Sequence, residues 1–298
     1  MMERIIELLK QQRIEFLLNE HMSKHTSFKI GGSSAVFVMP RTSSDVMVVV
    51  KACEEFGTPY FILGNGTNLL VSDDGYNGVI IATKYIKEEI IVKDGFVVAP
   101  AGKSLFELNR FLKFNELKGM EWSFGIPGTV GGAVVMNAGA YGHEFSEFVH
   151  SVDVVNGCDS DLICLSKEEL SFGHRTSSLR GKVVAHVRLQ LESGKFDEIS
   201  AKQTHFYNIR KEKQPLNYPS AGSIFRRSAQ DIPAQIIDRL GLKNVRIGGA
   251  EVSGKHAGFI VNVGNATCQD VQRLIDHIKK ICYNETGVIL EEEVDYLR

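Results

Sequence analysis

Two glycine-rich segments are the clearest places where a ligand could lie against the backbone. The first, Leu63–Val71, reads Leu-Gly-Asn-Gly-Thr-Asn-Leu-Leu-Val and follows the apolar strand predicted for residues 60–63. Closely spaced N–H groups with little side-chain bulk suit a pyrophosphate. It is no Rossmann fingerprint, because a third glycine and a following helix are missing. A plain turn between two strands remains the alternative to a phosphate-binding loop.

The second segment, residues 125–142, begins Gly-Ile-Pro-Gly-Thr-Val-Gly-Gly-Ala and continues through Met-Asn-Ala-Gly-Ala-Tyr-Gly. Each glycine in an ordered element costs roughly 0.5 to 1 kcal/mol relative to alanine. So dense a cluster would be unusual in a purely structural role. A ligand that approaches the backbone closely is therefore favoured over a structural role.

Positive charge is concentrated in one stretch of the chain. From His205 to His256 there are nine Lys/Arg residues and four Asp/Glu residues, whereas the whole chain has a formal net charge of -2. That balance gives no global basic field for nucleic acid or an anionic membrane. The local excess favours a diphosphate-bearing ligand, and a solvated basic face is the alternative.

Residues that bind metals occur without a recognisable pattern. The five cysteines are odd in number and form neither a C-x-x-C pair nor a zinc-ligand spacing: Cys53, Cys158, Cys164, Cys268 and Cys282. A reducing cytoplasm fits this usage best. His21 and His25 have the i, i+4 spacing of a helical metal site but no third ligand, so we expect no metal.

The elements that must position these segments alternate between strands and helices. Strand-like β-branched runs are predicted at residues 35–39, 79–82, 90–92, 96–99, 183–191, 258–263 and 288–294. Helices are predicted over residues 1–20, after Ser104, at about 270–283 and at about 196–213. Two capping boxes are predicted, Ser104 with Glu107 and Ser166 with Glu169.

Composition places the chain among soluble globular proteins. Its 298 residues are 43% hydrophobic and 23% charged, which excludes disordered, collagenous and disulfide-scaffold classes. The length suggests two domains, or one large domain with additions. No stretch approaches the roughly 20 apolar residues that span a bilayer. The best candidate hinge is residues 211–220, and a second seam is predicted near Asp74 and Gly75.

The sequence resembles the UDP-N-acetylenolpyruvoylglucosamine reductase family. Besides the two glycine-rich segments, the resemblance rests on five motifs in the family's order: Thr26–Gly32, Phe172–Ser177, Lys213–Phe225, Lys255–Phe259 and Leu290–Val294. It implies an α+β fold. This would be a two-part FAD-binding fold of the vanillyl-alcohol-oxidase-like (PCMH) type plus a C-terminal α+β substrate domain.

The resemblance also implies a division into three regions. Residues 1–75 would form the first half of the FAD-binding fold, residues 76–213 its second half, and residues 214–287 a substrate-binding domain. A C-terminal strand at about 288–298 would pack back on the first half. The short separation of Arg175 from Ser223 resembles the subclass that lacks an extra loop with a tyrosine.

The implied reaction is the reduction of UDP-N-acetylglucosamine enolpyruvate to UDP-N-acetylmuramate in peptidoglycan precursor synthesis. NADPH would reduce non-covalently bound FAD, and hydride would then pass to the vinyl carbon of the substrate. Negative charge builds on the substrate carboxylate, so the site needs fixed cations and a positioned acid. The implied protein is a cytoplasmic flavin-dependent oxidoreductase and a monomer, without nucleic-acid or membrane partners.

Three catalytic residues match the family pattern. Arg175 would grip the substrate carboxylate, and Ser223 would donate the proton. Ser223 lies in no G-x-S-x-G elbow, so it is not a hydrolase nucleophile. Glu293 is the third residue; strand periodicity alone leaves Glu291 and Glu293 on one face, and the family's glutamate directly before a valine selects Glu293.

The resemblance implies further contacts. The cofactor-binding residues would be Leu63, Gly64, Asn65, Gly66, Thr67, Asn68, Leu69, Gly125, Ile126, Pro127, Gly128, Gly131, Gly132, Asn137, Gly139 and Ala140. Lys213, which matches the family, and Arg227, the next candidate in the basic stretch, would bind the substrate diphosphate. Two positions depart from the family pattern: His174 stands where tyrosine is common, and Ser228 stands where proline is usual.

Three other functions remain open on the sequence alone. A covalently flavinylated oxidase would need a histidine or cysteine at the flavin ring, and neither glycine-rich segment supplies one. A non-catalytic nucleotide-sugar-binding protein would not need a positioned acid. An ordinary NAD-dependent dehydrogenase would be colourless when purified.

Overall fold

The computed structural model describes residues 1–156, 161–227 and 231–298. Cys158 and Ser228 lie outside these ranges. The helices in the described ranges are α1 (Met2–Gln11), α2 (Ser43–Glu55), α3 (Leu105–Phe114), α4 (Val130–Val135), α5 (Phe196–Lys213), α6 (Pro233–Arg239) and α7 (Cys268–Thr286).

The strands within these ranges are short and form several sheets. They are β1 (Glu15–His21), β2 (Ser33–Met39), β3 (Tyr60–Leu63), β4 (Leu69–Val71), β5 (Tyr76–Ala82), β6 (Ile91–Lys93), β7 (Phe96–Pro100), β8 (Leu117–Lys118), β9 (Gly139–Ala140), β10 (His143–Glu144), β11 (Val149–Asn156), β12 (Asp161–Ser166), β13 (Phe172–Gly173), β14 (Thr176–Ser177), β15 (Val184–Leu189), β16 (Glu192–Ser193), β17 (Arg246–Ile247), β18 (Ala250–Val252), β19 (Ile260–Asn262) and β20 (Asp295–Leu297). The larger sheets have the strand orders β1-β2-β5-β3, β12-β11-β15-β7-β6 and β17-β18-β19.

The chain divides into two compact units, each assembled from separate stretches of sequence. The larger unit contains Met1–Leu18, Ala35–Asn65 and Asn77–Asn208. The smaller unit contains Asn19–Ser34, Gly66–Tyr76 and Ile209–Arg298. The first glycine-rich segment therefore lies where the chain passes from the larger unit to the smaller one.

The larger unit has two hydrophobic cores. One lies between the first sheet and helices α1 and α2, where Val36 and Val38 alternate toward buried Ile5 and Leu9. The helix α2 begins at a full capping box, because the Thr42 side chain accepts from the Asp45 N–H and the Asp45 carboxylate accepts from the Thr42 N–H.

The second core of this unit is covered by the five-stranded antiparallel sheet. Its register pairs β15 with both β11 and β7. Helix α3 contributes Leu105, Leu108 and Leu112 from one face, and Trp122 is the largest of the fully buried side chains. The predicted capping box of Ser104 and Glu107 is confirmed at the start of α3.

The smaller unit packs α6 and α7 against the β17-β18-β19 sheet. Val271, Leu274, Ile275 and Ile278 of α7 all lie in its core. The carboxylate of Asp73 accepts from the first N–H groups of α7, where negative charge stabilises a helix N-terminus. Strand β20 pairs in parallel with β4.

Most predicted elements are confirmed, with two corrections. Residues 1–20 are not one helix, because α1 ends at Gln11 and β1 follows from Glu15. The predicted capping box of Ser166 and Glu169 is confirmed, and it starts a short 3₁₀ turn. Residues 288–294 form no regular strand: they make an isolated bridge between Phe225 and Glu292, and the strand begins at Asp295.

Other predicted features have simple structural outcomes. Helix α5 ends at Lys213, two residues before Pro215, and α7 ends at Gly287 with its φ at 73°. No helix of the described residues is long and apolar enough to cross a bilayer. Cys53, Cys164, Cys268 and Cys282 are free thiols.

A polar contact in the larger unit ties α2 to the five-stranded sheet. Glu88 accepts hydrogen bonds from the N–H and hydroxyl of Ser43 at 2.7 and 2.8 Å, and its other partner is His186 at 3.0 Å. The hydrogen bond to His186, helped by those from Ser43, lowers the pKa of Glu88 from 4.5 to about 2 despite partial burial. The ionised carboxylate is therefore the form that the fold stabilises.

We expect Glu88→Gln to lower the midpoint temperature of thermal unfolding at neutral pH. This temperature should also fall less steeply in the variant than in the parent as the pH is lowered. A carboxylate with a lowered folded pKa stabilises above its unfolded pKa of 4.5, and this contribution disappears as the pH falls toward about 2. Thermal unfolding followed by circular dichroism across that range measures both effects. The matched control is Glu7→Gln on the exposed face of α1. If the midpoint temperatures of the parent and the Glu88 variant fall equally steeply with pH, the ionised Glu88 carboxylate does not stabilise the fold.

Candidate active site

The two glycine-rich segments meet inside the larger unit. Asn65 Nδ2 donates to the carbonyl of Pro127 at 2.9 Å. A β-carbon on Gly64 would overlap Thr129 Oγ1. Only glycine lets the backbone at residue 64 lie this close to the Thr129 side chain, so the sequence pattern reflects close packing between the segments themselves.

The N-terminal turn of α4 is already hydrogen-bonded to protein. The N–H of Val130 donates to Lys103 O at 2.8 Å and that of Gly131 to Ala101 O at 2.9 Å. Thr129 caps the helix by accepting from Gly132 N at 3.3 Å. A β-carbon on Gly131 would lie 2.7 Å from that of Ala101. Gly131 is therefore needed for packing, and its N–H is not available to a ligand.

The first segment offers donors that protein does not use. In the described residues, the backbone N–H groups of Asn65, Gly66 and Thr67 meet no protein acceptor. Gly66 is buried and has a φ of 60°, and a β-carbon there would lie 2.5 Å from His25 O. Successive unpaired N–H groups around a left-handed residue form a concave site for an anion.

Arg175 lies at the tip of a tight hairpin. Strands β13 and β14 pair Gly173 with Thr176, which leaves His174 and Arg175 as the two turn residues. Arg175 has a φ of 58°, an uncommon conformation for a residue with a side chain. Its Nη2 donates to Gly139 O at 2.8 Å. The guanidinium is thus attached to the second glycine-rich segment.

That segment forms a hairpin of its own. Strands β9 and β10 are joined by Tyr141 and Gly142, both with positive φ, the pattern of a type I′ hairpin turn. The turn brings Glu144 back toward the Arg175 hairpin, where its Oε1 lies 3.7 Å from His174 Nδ1. His174, which departs from the family pattern, therefore faces a carboxylate.

Asn137 connects these two hairpins. Its Nδ2 donates to Glu144 Oε2 at 2.8 Å and to Gly173 O at 3.0 Å, and its Oδ1 accepts from Ser146 N at 3.0 Å. The residue is fully buried. Since its backbone N–H also bonds to Val134 O, a cofactor contact by Asn137 would have to involve its backbone carbonyl.

In the smaller unit, Ser223 and Glu293 lie on neighbouring segments. Glu293 N donates at 2.7 Å to the carbonyl of Ile224, the residue next to Ser223. Ser223 forms an isolated bridge with Phe259. The Ser223 hydroxyl is 3.5 Å from Gly258 O, at the limit of a hydrogen bond, so it is not firmly held by protein.

The structure distinguishes the three consecutive glutamates. Glu292 forms an ion pair with Lys279 of α7. Burial, and then a hydrogen bond to Glu292, raises the pKa of Tyr296. Glu291 is exposed. Glu293 has its backbone carbonyl bound by Asn68 Nδ2 at 3.0 Å. The Glu292 side chain is thus used in polar contacts within the smaller unit.

Lys213 and Arg227 are both exposed in the smaller unit. Within the described residues neither forms an ion pair or a hydrogen bond through its side chain. Lys255, by contrast, donates to Lys211 O at 2.7 Å, and Lys243 is paired with Asp238 at 2.7 Å. The predicted diphosphate ligands are therefore among the cations left open to solvent.

Two family models match the chain over separate ranges. A model described as the FAD binding domain matches residues 34–166. A model described as the C-terminal domain of UDP-N-acetylenolpyruvoylglucosamine reductase matches residues 214–297. The first range contains both glycine-rich segments, and the second contains Ser223 and Glu293.

Relatives extend this likeness to nearly the whole chain. A protein named UDP-N-acetylenolpyruvoylglucosamine reductase from Caldanaerobacter subterraneus subsp. tengcongensis is 42% identical over 99% of this chain and 97% of its own length. Its namesake from Clostridioides difficile is 39% identical over 98% and 96%. The chain belongs to the UDP-N-acetylenolpyruvoylglucosamine reductase family.

Solved structures agree with this membership. The crystal structure of the family member from Thermus caldophilus matches with a TM-score of 0.80 and 32% identity, over 96% of this chain and 99% of that one. A 4-ethylphenol oxidase from Gulosibacter chungangensis has a TM-score of 0.50 at 12% identity, over 98% of this chain and 65% of that one, which shows the fold alone. The predicted α+β PCMH-type fold with a C-terminal domain is confirmed.

The residues present fit the FAD that this family's binding domain implies. The buried Gly66 N–H without a protein acceptor in the described ranges, flanked by those of Asn65 and Thr67, is a neutral donor set suited to a diphosphate. No charged side chain stands in that loop from Leu63 to Leu69. The fit rests on the first segment, because the amides at the start of α4 are already used.

Sequence reasoning missed Glu144. Its importance follows from its bond to Asn137 and its approach to His174, neither of which the glycine pattern indicates. A usable signal did exist, because Tyr-Gly between two short extended pairs predicts a hairpin that folds the chain back. That turn places Glu144 beside the residues that precede it.

We expect Gly64→Ala to destabilise the larger unit by about 1 to 3 kcal/mol, the typical cost of overpacking. The clash is with Thr129 Oγ1, so the cost should shrink in a Thr129→Ala background. Thr129→Ala itself removes a helix cap and should cost about 1 kcal/mol.

The four proteins are compared by chemical denaturation of the flavin-free form. A smaller cost of Gly64→Ala in the Thr129→Ala background supports the close approach of the segments. Equal costs in both backgrounds would mean that the two residues are not in contact.

Proposed function

We propose that the chain catalyses the NADPH-dependent, FAD-mediated reduction of UDP-N-acetylglucosamine enolpyruvate to UDP-N-acetylmuramate in peptidoglycan precursor synthesis. The observation that carries the proposal is the family likeness over the full length, 42% identity across 99% of the chain. The residue types agree, because an arginine, a serine and a glutamate stand at the family's catalytic motif positions. The enzyme is thus a flavin-dependent oxidoreductase.

FAD, when bound, accepts hydride from NADPH and delivers it to the vinyl carbon of the substrate. The residues proposed to hold its diphosphate are Asn65, Gly66 and Thr67 through their N–H groups. Leu63, Gly64, Asn68 and Leu69 complete the first segment around the cofactor. In the second segment the proposed contacts are Gly125, Ile126, Pro127, Gly128, Gly131, Gly132, Asn137, Gly139 and Ala140.

Arg175 is proposed to bind the substrate carboxylate. As hydride arrives at the vinyl carbon, negative charge moves onto the adjacent carbon and this carboxylate. A guanidinium stabilises that charge through paired hydrogen bonds. Its bond to Gly139 O limits the directions in which the side chain can point, and so orients the guanidinium.

Ser223 is proposed to protonate the carbon next to the carboxylate. Its hydroxyl is only weakly engaged by Gly258 O, so it can turn toward a substrate. A serine hydroxyl protonates only a strongly basic carbon, which requires the enolate to be held in place. Glu293 is proposed to assist in holding or orienting that intermediate, on the segment bonded to Ile224.

Lys213 and Arg227 are proposed to bind the substrate diphosphate. They are exposed and carry charge that no described side chain neutralises. A charge-assisted hydrogen bond to phosphate is worth about 1.5 to 3 kcal/mol. The local excess of positive charge would also raise the association rate of a doubly charged ligand.

We further propose the three functional regions that the sequence suggests: residues 1–75 and 76–213 for FAD, and residues 214–287 for the substrate. The pairing of β20 with β4 supports the proposal that the C-terminal strand packs back on residues 1–75. The enzyme is proposed to act as a monomer in the cytoplasm, without nucleic-acid or membrane partners.

The absorbance spectrum of the purified chain tests the proposal most simply. A bound flavin gives absorption in the visible region, which NADPH should bleach under anaerobic conditions, and the enolpyruvyl substrate should restore it. A colourless protein would favour an ordinary NAD-dependent dehydrogenase. A yellow protein that the substrate does not reoxidise would favour a binding protein that kept the fold.

We expect Ser223→Ala to separate the two half-reactions. Hydride transfer from NADPH involves no enolate, so flavin bleaching should proceed at close to the parental rate. Reoxidation by the substrate should slow by about 10²- to 10⁴-fold, the usual contribution of general acid catalysis. Anaerobic stopped-flow absorbance measures both steps.

Either of two results in that experiment would contradict the role of Ser223. Unimpaired reoxidation would mean that water or another side chain is the acid. A lost reductive half-reaction would mean that Ser223 positions the nicotinamide or the flavin.

We expect Lys213→Ala and Arg227→Ala each to raise the KM for the substrate about tenfold or more, from the loss of a charged hydrogen bond. Reduction of the flavin by NADPH should stay near normal. Steady-state and half-reaction kinetics provide the measurements, with Lys280→Ala on the exposed face of α7 as the matched control. If both variants lose flavin reduction instead, these cations belong to the nicotinamide cofactor.

A further inference from the structure

We propose that Asn137 is a positioning residue for Arg175. Its buried amide fixes the base of the hairpin that carries Arg175, and its own hairpin supplies the carbonyl that binds the guanidinium. The inference rests on the proposed function in one respect, since it assumes that Arg175 binds the substrate. The arrangement itself stands on hydrogen bonds that are independent of any ligand.

Both polar atoms of the Asn137 side chain are hydrogen-bonded to protein. A carboxamide has two N–H donors and one oxygen acceptor. Both donors are taken, by Glu144 Oε2 at 2.8 Å and Gly173 O at 3.0 Å, and the oxygen accepts from Ser146 N at 3.0 Å. No other side chain of this size offers two donors and an acceptor, so an asparagine is needed here.

The backbone at Asn137 sets the course of the chain. Its φ is 43°, in the left-handed region that asparagine tolerates better than most residues. The following residue, Ala138, donates to Ala133 O at 2.8 Å just after the end of α4. Asn137 therefore sets the direction in which the chain leaves α4 and enters the hairpin that contains Gly139.

The left-handed backbone of Arg175 needs support from its surroundings. A two-residue turn with a left-handed arginine is costly unless the surrounding structure holds it. Asn137 Nδ2 holds the turn at Gly173, two residues before Arg175. Gly139 O, two residues after Asn137, holds the guanidinium at 2.8 Å. Asn137 thus controls both the backbone and the side-chain end of the arginine.

Glu144 completes the arrangement. One carboxylate oxygen accepts from Asn137, and the other lies 3.7 Å from His174 Nδ1. A β-carbon on Gly139 would lie 3.0 Å from Arg175 Nη1 and 3.1 Å from Glu144 Cγ. The space around the guanidinium is therefore closed on this side, and a small shift of the Asn137 hairpin must move the arginine.

The test is a double-mutant cycle of Asn137→Asp and Arg175→Lys. The aspartate keeps the size and the acceptor but loses both donors and faces the carboxylate of Glu144. We expect Asn137→Asp alone to slow flavin reoxidation by the substrate about 10- to 100-fold, the effect of misplacing a binding group by a fraction of an ångström. In the Arg175→Lys background the same change should have almost no further effect.

The matched control is Asn109→Asp. Asn109 is equally buried, lies in the same unit, and donates to Leu105 O at 2.9 Å and Ser123 Oγ at 2.7 Å. Any slowing of flavin reoxidation by Asn109→Asp should multiply with the slowing caused by Arg175→Lys. Asn137→Gly, which tolerates the positive φ, repeats the cycle if the aspartate variant does not fold.

A second readout does not depend on activity. The reaction of Arg175 with phenylglyoxal, followed by mass spectrometry of peptides, reports how firmly its guanidinium is held. We expect it to react several-fold faster in Asn137→Asp than in the parent or in Asn109→Asp, with exposed Arg110 as the internal reference.

The outcomes separate the two proposals. Non-additive rates together with faster modification of Arg175 support the positioning role. If the effects of the two substitutions on the reoxidation rate multiply, or if the rate of Arg175 modification is unchanged, the positioning role is overturned. If modification is faster in Asn137→Asp but the parent never reduces the substrate, the positioning is supported and the proposed function is overturned instead.

Discussion

The close packing of two glycines around helix α4 is the constraint on which the larger unit depends. At one end Gly64 lies against Thr129, the residue that caps the helix, and on the other side Gly131 lies against Ala101, just after the end of β7. The helix is therefore fixed between the loop after β3 and the five-stranded sheet. Side chains at either glycine would separate these elements.

This constraint changes the meaning of the glycine-rich pattern. The sequence alone suggests that both segments expose their amides to a ligand. In the second segment, the first amides of α4 bond to Lys103, Ala101 and Thr129, and Gly131 permits close packing on Ala101. Three successive donors of the first segment, those from Asn65 to Thr67, meet no protein acceptor in the described ranges, whereas these first amides of α4 all do. This difference is the reason for proposing that the first segment binds the diphosphate.

Much of the fold can be predicted because its signals are local. The capping box at Ser104, the end of α5 before Pro215 and the glycine after α7 each depend on a few neighbouring residues. The prediction of a strand at 288–294 was wrong because its β-branched pattern is satisfied by one isolated bridge and buried side chains instead of a ladder. Local propensity cannot distinguish these two uses.

The site is predicted less completely, for a physical reason. Family motifs select Ser223 and Glu293, and their segments are joined through the bond of Glu293 N to Ile224 O. The contacts of Asn137 and Glu144 depend on hydrogen bonds between two hairpins that are distant in sequence. No pattern within one segment encodes such a contact.

The reaction proposed for this chain uses hydride from NADPH to saturate an enolpyruvyl ether on a UDP-sugar. The most direct measurement is an anaerobic single turnover with the NADPH-reduced protein and UDP-N-acetylglucosamine enolpyruvate, analysed by mass spectrometry. We expect one substrate per flavin to gain two hydrogen atoms as the flavin is reoxidised. An unchanged substrate beside a flavin that stays reduced would contradict this reaction.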